Sequence, residues 1–266
     1  MDLSSFKETA LIGHTGFVGS NLLKQMPHTL TIHTYNSKNF TEMAHREFDL
    51  VVCAGISAAK WLANREPRSD KEQIDKLQAT LTTVRAKCFV LISTIDVYKD
   101  PRSVTENDIP TTAGNHAYGA HRYEFEQFVQ SHFSNNIVLR LPALFGPGLK
   151  KNALFDMLND NNVSQINPQA SFQWYPVDRL WSDVETAAKA NLRLLNVSTE
   201  PITTGLIADN YFARVKLTAK PGEPPCYDMW SLHADKFGGQ GNYLLAKESV
   251  LSALSSFVTA NTHACI

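Results

Sequence analysis

The stretch Ala10-Leu11-Ile12-Gly13-His14-Thr15-Gly16-Phe17-Val18-Gly19 limits what this chain can become more than any other. A short apolar run enters three glycines spaced three apart, and a helix-forming segment, Ser20 to Gln25, comes next and stops before Pro27. That is a strand, a tight turn and a helix N-terminus. Glycine is needed where backbone approaches a bulky anion or takes a positive φ. The helix N-terminus adds free N–H groups and the positive end of a dipole, which suit a pyrophosphate. Surface turns also collect glycines, so the reading depends on the pattern of the chain beyond Pro27.

That pattern is alternation. Leu30 to Tyr35 is β-branched and alternating, a second strand; Phe48 to Gly55 is apolar throughout, a strand buried on both faces. A polar helical region runs from Ala58 to Lys87, and Pro67 divides it. The fourth strand, Cys88 to Ile92, ends at Ser93-Thr94; a loop covers Lys99 to Asn115; His116 to Phe133 is a helix with Phe125, Phe128, Val129 and Phe133 on one stripe. Ile137 to Leu141 is a further strand and Pro142 to Gly148 a turn. The pattern predicts an α/β fold with a doubly wound parallel sheet. The second half is less regular. It predicts short helices over 152–158 and 202–215, a strand over 172–177, Asp178 as the N-cap of a helix over 179–192, a late strand over 194–197 and a final helix over 244–258.

A dinucleotide at the glycine turn meets the end of the second strand with its adenosine ribose, where an acid selects the 2′-OH of NAD and a basic setting accepts a 2′-phosphate. Asn36, 17 positions past Gly19, begins the acid-free run Asn36-Ser37-Lys38, which points to NADP over NAD; a plain polar loop is the alternative. Composition sets the remaining bounds. Across 266 residues, 43% hydrophobic and 19% charged content allows a core, and a net charge of −1 argues against a nucleic-acid binder. No apolar run reaches the ~20 residues of a membrane span, and the polar start, Met1 to Glu8, does not read as a secretory signal. Cys53, Cys88, Cys226 and Cys265 are scattered without a CxxC pair, which points to a reducing, cytoplasmic setting. The nine histidines show no metal-ligand spacing, so no metal site is expected.

Ligands in open α/β sheets bind beyond the carboxyl ends of the strands. Two polar groups fall there: Ser93-Thr94-Ile95-Asp96-Val97-Tyr98 and Tyr118-Gly119-Ala120-His121-Arg122. Tyr118 and Arg122 are four apart and share a helix face. Moving a phenol from pKa ~10 to ~7 takes roughly 4 kcal/mol, which a cation about 4 Å away supplies at an effective dielectric near 20. With Thr94 orienting a substrate oxygen, these residues make an acid/base site for interconverting a carbinol and a ketone beside a nicotinamide.

These motifs resemble the extended short-chain dehydrogenase/reductase family, the NAD-dependent epimerase/dehydratase group that modifies nucleotide sugars. Gly13-x-x-Gly16-x-x-Gly19 matches its cofactor loop, Ile92-Ser93-Thr94-x-x-Val97-Tyr98 its Ser/Thr segment, and Tyr118-Gly119-x-x-Arg122 lies on its Tyr-x-x-x-Lys motif. Leu139 to Pro142 with Phe145 to Gly148, and Val177-Asp178, resemble later elements, so the similarity covers most of residues 8–190. It implies a Rossmann-type sheet with a small C-terminal substrate lobe. The dinucleotide-binding part would be 1–148, with 173–200 returning to it, and the lobe 149–172 and 201–266. It implies Thr94, Tyr118 and Arg122 as catalytic residues. Gly13, Thr15, Gly16, Phe17, Val18, Gly19, Asn36, Ser37, Lys38, Ala54, Gly55, Tyr118 and Arg122 would line the cofactor. Arg122 departs from the family lysine: it supplies charge and a donor fork but cannot relay a proton. That departure motivates a second reading, a cofactor-binding regulatory or scaffold protein without turnover. In the dehydratases of the family two acids follow the threonine; here Ile95 and Asp96 stand there, so Asp96 is a substrate-site candidate or a turn cap. His121 reads as solvent-facing or supporting, and Tyr98 as packing. Lys150 and Asn152 could meet a diphosphate or form a solvated patch, and Trp174 could stack on a base or sugar or pack in a core. The expected partner is a small molecule, a sugar nucleotide by resemblance, and a homodimer is the family analogy.

Overall fold

The computed structural model describes residues 1–262. Six strands make the central sheet: β1 (Glu8–Ile12), β2 (Thr31–Tyr35), β3 (Glu47–Cys53), β4 (Arg85–Thr94), β5 (Asn136–Leu141) and, late in the chain, β9 (Leu194–Asn196). Their spatial order is β2-β1-β3-β4-β5-β9. β1 pairs in parallel with β2 and β3, and β3 with β4. The order reverses between β1 and β3, the switch point where an open α/β sheet offers a crevice.

Period-two burial builds the two faces. Ala10, Ile12, Val51, Cys53, Phe89 and Leu91 join a core with Ile74, Leu77 and Leu81 of α3 (Pro67–Leu81) and Phe125 and Val129 of α4 (Ala117–His132). The alternate residues Leu11, Val52 and Val90 are just as fully buried. On that second face α1 (Phe17–Gln25) packs against β1 and α6 (Leu180–Lys189). Cys53 is a small core residue whose thiol burial pushes up to about 12. Pro67 opens α3 after α2 (Lys60–Arg65), as its missing N–H allows at a first helical position. No described helix is long and apolar enough to cross a membrane.

The chain forms two compact units: Met1–Asp100 with Glu106–Arg140 and Asp178–Leu195, and Pro101–Thr105 with Leu141–Val177 and the chain from Asn196 onward. A short stretch, Pro101–Thr105, belongs to the second unit, and the chain enters that unit again after Arg140, earlier than the expected 148. The reason is that the stretch 142–148 is not all turn: β6 (Ala143–Phe145) pairs in parallel with β8 (Trp174–Pro176), inside the second unit. There β7 (Ser171–Phe172) pairs antiparallel with β10 (Ile202–Thr203). Gln173 ties the unit together, its amide donating to Thr199 and Met229 carbonyls at 2.6 and 2.8 Å and accepting from Met229 N–H at 2.8 Å.

Several expected boundaries shift. Asp178 does not cap α6; it lies exposed in a 3-10 turn, Val177–Arg179, and Arg179 instead holds Asp183 at 3.0 Å. The helix expected over 202–215 is split. Ile202 and Thr203 join β10, and Thr203 then caps α7 (Thr204–Tyr211). The final helix, α8, covers Lys247–Thr262 and begins later than expected, because Leu244 and Leu245 bond to Ser198 and Glu200 instead. Cys265 lies outside the described residues.

Candidate active site

The glycine turn sits at the carboxyl ends of β1 and β3. Gly13 has φ +88°, and a Cβ there would come 2.3 Å from the Ala54 carbonyl oxygen. A Cβ on Gly19 would come 2.2 Å from the Gly13 carbonyl oxygen. Gly55 abuts the Ile12 side chain in the same way. The three segments thus close on one another only because side chains are missing. Gly16 stands at the N-cap of α1 and supplies no side-chain cap. The orphan donors of a helix's first turn, here Phe17, Val18 and Gly19, are then left for a ligand. Thr15 is exposed beside them. A cradle that added Cβ atoms would fill fits the diphosphate of a dinucleotide.

At the end of β2 the Asn36 side chain folds back. Its Oδ1 accepts from Lys38 N–H at 2.8 Å, while Asn39 Oδ1 accepts from Asn36 N–H at 2.8 Å. Asn36 therefore shapes the turn, and Ser37 and Lys38 are the exposed members.

Tyr118 is brought to Thr94 by a close approach of α4 to the 3-10 turn Ile95–Val97. A Cβ at Gly119 would lie 2.0 Å from the Asp96 carbonyl oxygen, and the Asn115 amide donates to the Asp96 and Val97 carbonyls at 3.3 and 3.0 Å. Asn64 of α2 accepts from Tyr118 N–H at 2.9 Å. The turn itself is braced from below by a buried pair. Arg140 Nη2 lies 2.6 Å from Glu126 Oε2, Ser93 donates to Glu126, and Arg140 Nη1 donates to Tyr98 Oη at 2.6 Å. Tyr98 is packing, as the sequence suggests.

The Tyr118 hydroxyl is hydrogen-bonded to Thr94. Burial raises the phenol above its ordinary pKa of 10.0; Arg122 pulls it down, Asp96 pushes it up, and the Thr94 bond and Lys60 lower it. The expected descent towards neutrality does not occur. Burial outweighs the opposing charge of Arg122. Its guanidinium stands 4.0 Å from the Tyr118 ring centroid, over the face of the ring. Nη1 donates to Asp70 Oδ2 at 2.5 Å and to the Tyr118 carbonyl at 3.3 Å; Nη2 donates to Asp70 Oδ1 at 2.9 Å and to the Ser57 carbonyl at 2.6 Å. All four terminal N–H bonds of the fork are engaged, so the fork faces Asp70 and Ser57. Asp70 also bonds His121 Nδ1 at 2.8 Å, which puts His121 in a supporting position.

Asp96 is not a turn cap. Thr94 performs that task, accepting from Asp96 N–H at 3.2 Å, and the Asp96 carboxylate lies 2.7 Å from Lys60 Nζ. His116 caps α4, its Nδ1 accepting from Gly119 N–H at 3.0 Å; burial and Lys60 lower its pKa. Lys60, Asn64 and Asp70 escape the sequence reading. The one signal for Lys60 is its place just beyond the carboxyl end of β3, the edge where ligands bind.

In the second unit, Lys150 is exposed. Asn152 caps α5 (Ala153–Leu158), accepting from Leu154 and Phe155 N–H at 3.0 and 3.1 Å and donating to the Leu144 carbonyl at 2.8 Å. Its amide is thus committed to the fold. Trp174 is 1% exposed and packs edge-on to Phe172, so it is a core residue and not a stacking surface.

The sequence model of the NAD-dependent epimerase/dehydratase family matches residues 10–202. The chain belongs to that family. No functionally curated sequence matches it. Among solved structures it resembles a dTDP-4-dehydrorhamnose reductase from Clostridium acetobutylicum, at 16% identity and TM-score 0.75 over 95% of this chain and 98% of that one. A second dTDP-4-dehydrorhamnose reductase, from Bacillus anthracis in complex with NADP, gives 17%, 0.75, 96% and 99%. UDP-glucose 4-epimerase from Thermotoga maritima, with UDP-glucose, gives 16%, 0.71, 97% and 99%. At these identities the likeness shows the fold, and the family match places the glycine turn, Thr94 and Tyr118 inside the matched stretch.

Proposed function

We propose that the chain is an NAD(P)-dependent epimerase or reductase that interconverts a carbinol and a ketone of a sugar nucleotide. The observation that carries this is the hydrogen-bonded Thr94–Tyr118 pair at the carboxyl edge of β4, in the unit whose β1 edge carries the glycine cradle. The Gly13–Gly19 loop would hold the diphosphate, Ala54 and Gly55 would line it, and Ser37 and Lys38 would face the adenosine ribose. Hydride acceptance and return is the chemistry such a cofactor supplies when bound. Tyr118 exchanges a proton with the substrate oxygen, and Thr94 fixes where that oxygen lies. A phenol raised above its ordinary pKa keeps its proton at neutral pH, which suits the acid role and favours the direction of ketone reduction.

The test begins with the purified protein: denaturation, identification of any released nicotinamide nucleotide, then titration with NADH and NADPH. Tighter binding of NADPH is expected, weakened by Lys38→Ala; equal binding of both removes the 2′-phosphate reading. Turnover is then assayed on UDP-glucose and on dTDP-4-dehydrorhamnose. Tyr118→Phe should lower kcat by about 10²–10⁴-fold, and undiminished turnover in that variant removes Tyr118 from the mechanism. One observation favours the second reading, a binding protein without turnover: Arg122 is committed to Asp70 and Ser57 and does not reach for a ribose. Nucleotide binding with no Tyr118-dependent turnover would establish it.

A further inference from the structure

We propose that Asp96 and Lys60 form the path along which the buried Tyr118 phenol exchanges its proton with solvent, through the Thr94 hydroxyl. The inference rests on Tyr118 being the acid/base group. It answers a problem set by position 122. Arginine does not give up a proton, and the Arg122 fork is engaged on all four terminal N–H bonds. Tyr118 is 8% exposed, so its oxygen needs another route to water.

The route is laid out in order of exposure. Thr94 has one hydroxyl hydrogen and two acceptors for it, the Tyr118 oxygen and Asp96 Oδ2 at 3.5 Å. Turning that hydrogen from one to the other is the middle step. The other carboxylate oxygen, Oδ1, lies 2.7 Å from Lys60 Nζ. The Asp96 side chain is 16% exposed and that of Lys60 36%, so exposure increases along the path. His116 flanks the path, with Nε2 3.9 Å from Asp96 Oδ1. Because His116 Nδ1 accepts from Gly119, Nε2 carries the ring hydrogen and cannot take the proton. The other charges facing Tyr118 are Arg122 on its own helix, with Asp70 of α3 and His121 behind it.

The step balances without a redox partner. After Tyr118 has given its proton to a substrate alkoxide, the Thr94 O–H breaks and the Tyr118 O–H forms. As it does so, a hydrogen that Lys60 has given to the Asp96 carboxylate, and that the carboxyl group has turned toward Thr94, forms the new Thr94 O–H; Asp96 returns to carboxylate and solvent restores the Lys60 ammonium. In the oxidative direction each bond change reverses.

The test tracks the hydroxyl hydrogen itself. Protein carrying tyrosine labelled with ¹³C at Cζ is studied by NMR in mixed H₂O and D₂O, where the isotope shift reports hydroxyl exchange; the Tyr118 signal is the one lost in Tyr118→Phe. Exchange should slow by about tenfold or more in Asp96→Asn, Lys60→Ala and Lys60→Arg, since arginine keeps the ion pair but not the transfer. Added methylamine should restore it in Lys60→Ala. Unchanged exchange in all three variants, or wild-type exchange in Lys60→Arg, overturns the path. Because this measurement needs no turnover, it fails separately from the proposed function, which falls if the protein shows no turnover or if turnover survives Tyr118→Phe.

Discussion

Tyr118 sits where burial and charge pull in opposite directions, and burial prevails over the Arg122 charge. Asp70 takes both ends of the guanidinium, so much of its positive charge is answered before the phenol feels it. A free arginine about 4 Å from a phenol would offset roughly 4 kcal/mol at an effective dielectric near 20; a paired one offsets less, and desolvation prevails. The same pair governs local stability. Removing one partner of a buried ion pair strands the other charge, at a cost of about 3–5 kcal/mol. Asp70→Asn should therefore lower stability by that order in urea unfolding, and a loss within ~0.5 kcal/mol, the range of ordinary surface changes, would show that the pair is not structurally important.

At the scale of elements, long regular pieces were legible and their accessories were not. β1, β3 and β4 are apolar runs bounded by turn chemistry, and Pro67 marks a real helix start, so the doubly wound sheet could be read directly. β6 could not, because its three residues pair with β8 some thirty positions away and carry no pattern of their own. The site divides in the same way. Gly13, Gly16, Gly19, Thr94 and Tyr118 belong to local motifs, whereas Lys60 and Asn64 reach their partners across 36 and 54 positions. Arg122 was legible as a charge, but its destination was not, since Asp70 looks like any other acid in a polar helix. The tightest element contact gives a direct test. Gly19→Ala places a methyl 2.2 Å from the Gly13 carbonyl oxygen, so β1 and α1 must separate. Titration should show nucleotide binding lost or weakened more than tenfold, with stability lowered by about 1–3 kcal/mol; unchanged binding would mean that the turn is not the cradle.

For the molecule as a whole, acid is the revealing perturbation. Asp49 accepts from Lys7 and Glu8 N–H at 2.8 and 3.0 Å and lies 2.7 Å from Lys87, which holds its carboxyl down to about 2. Asp70 is also lowered: burial pushes it up, but its bonds to Arg122 and His121 pull it down further. A carboxyl depressed on folding stabilises the protein fully above its unfolded value of 3.8, and that stabilisation is lost as pH falls through the folded value. Stability should hold from neutrality to about pH 4 on account of these two groups and fall steeply below it. Asp49→Asn should flatten that fall, as read from urea midpoints across the acid range; an equally steep fall in the variant would assign it to other carboxylates.

The clamp on Arg122 also decides which substitutions position 122 can accept. Lysine at that position has one ammonium, which cannot satisfy Asp70 Oδ1, Asp70 Oδ2 and the Ser57 carbonyl from the fixed angles of a fork. A single change from arginine to lysine would thus pass through a destabilised protein unless position 70 changed with it. The two residues form one structural unit, so neither position can be exchanged by itself without cost to the fold.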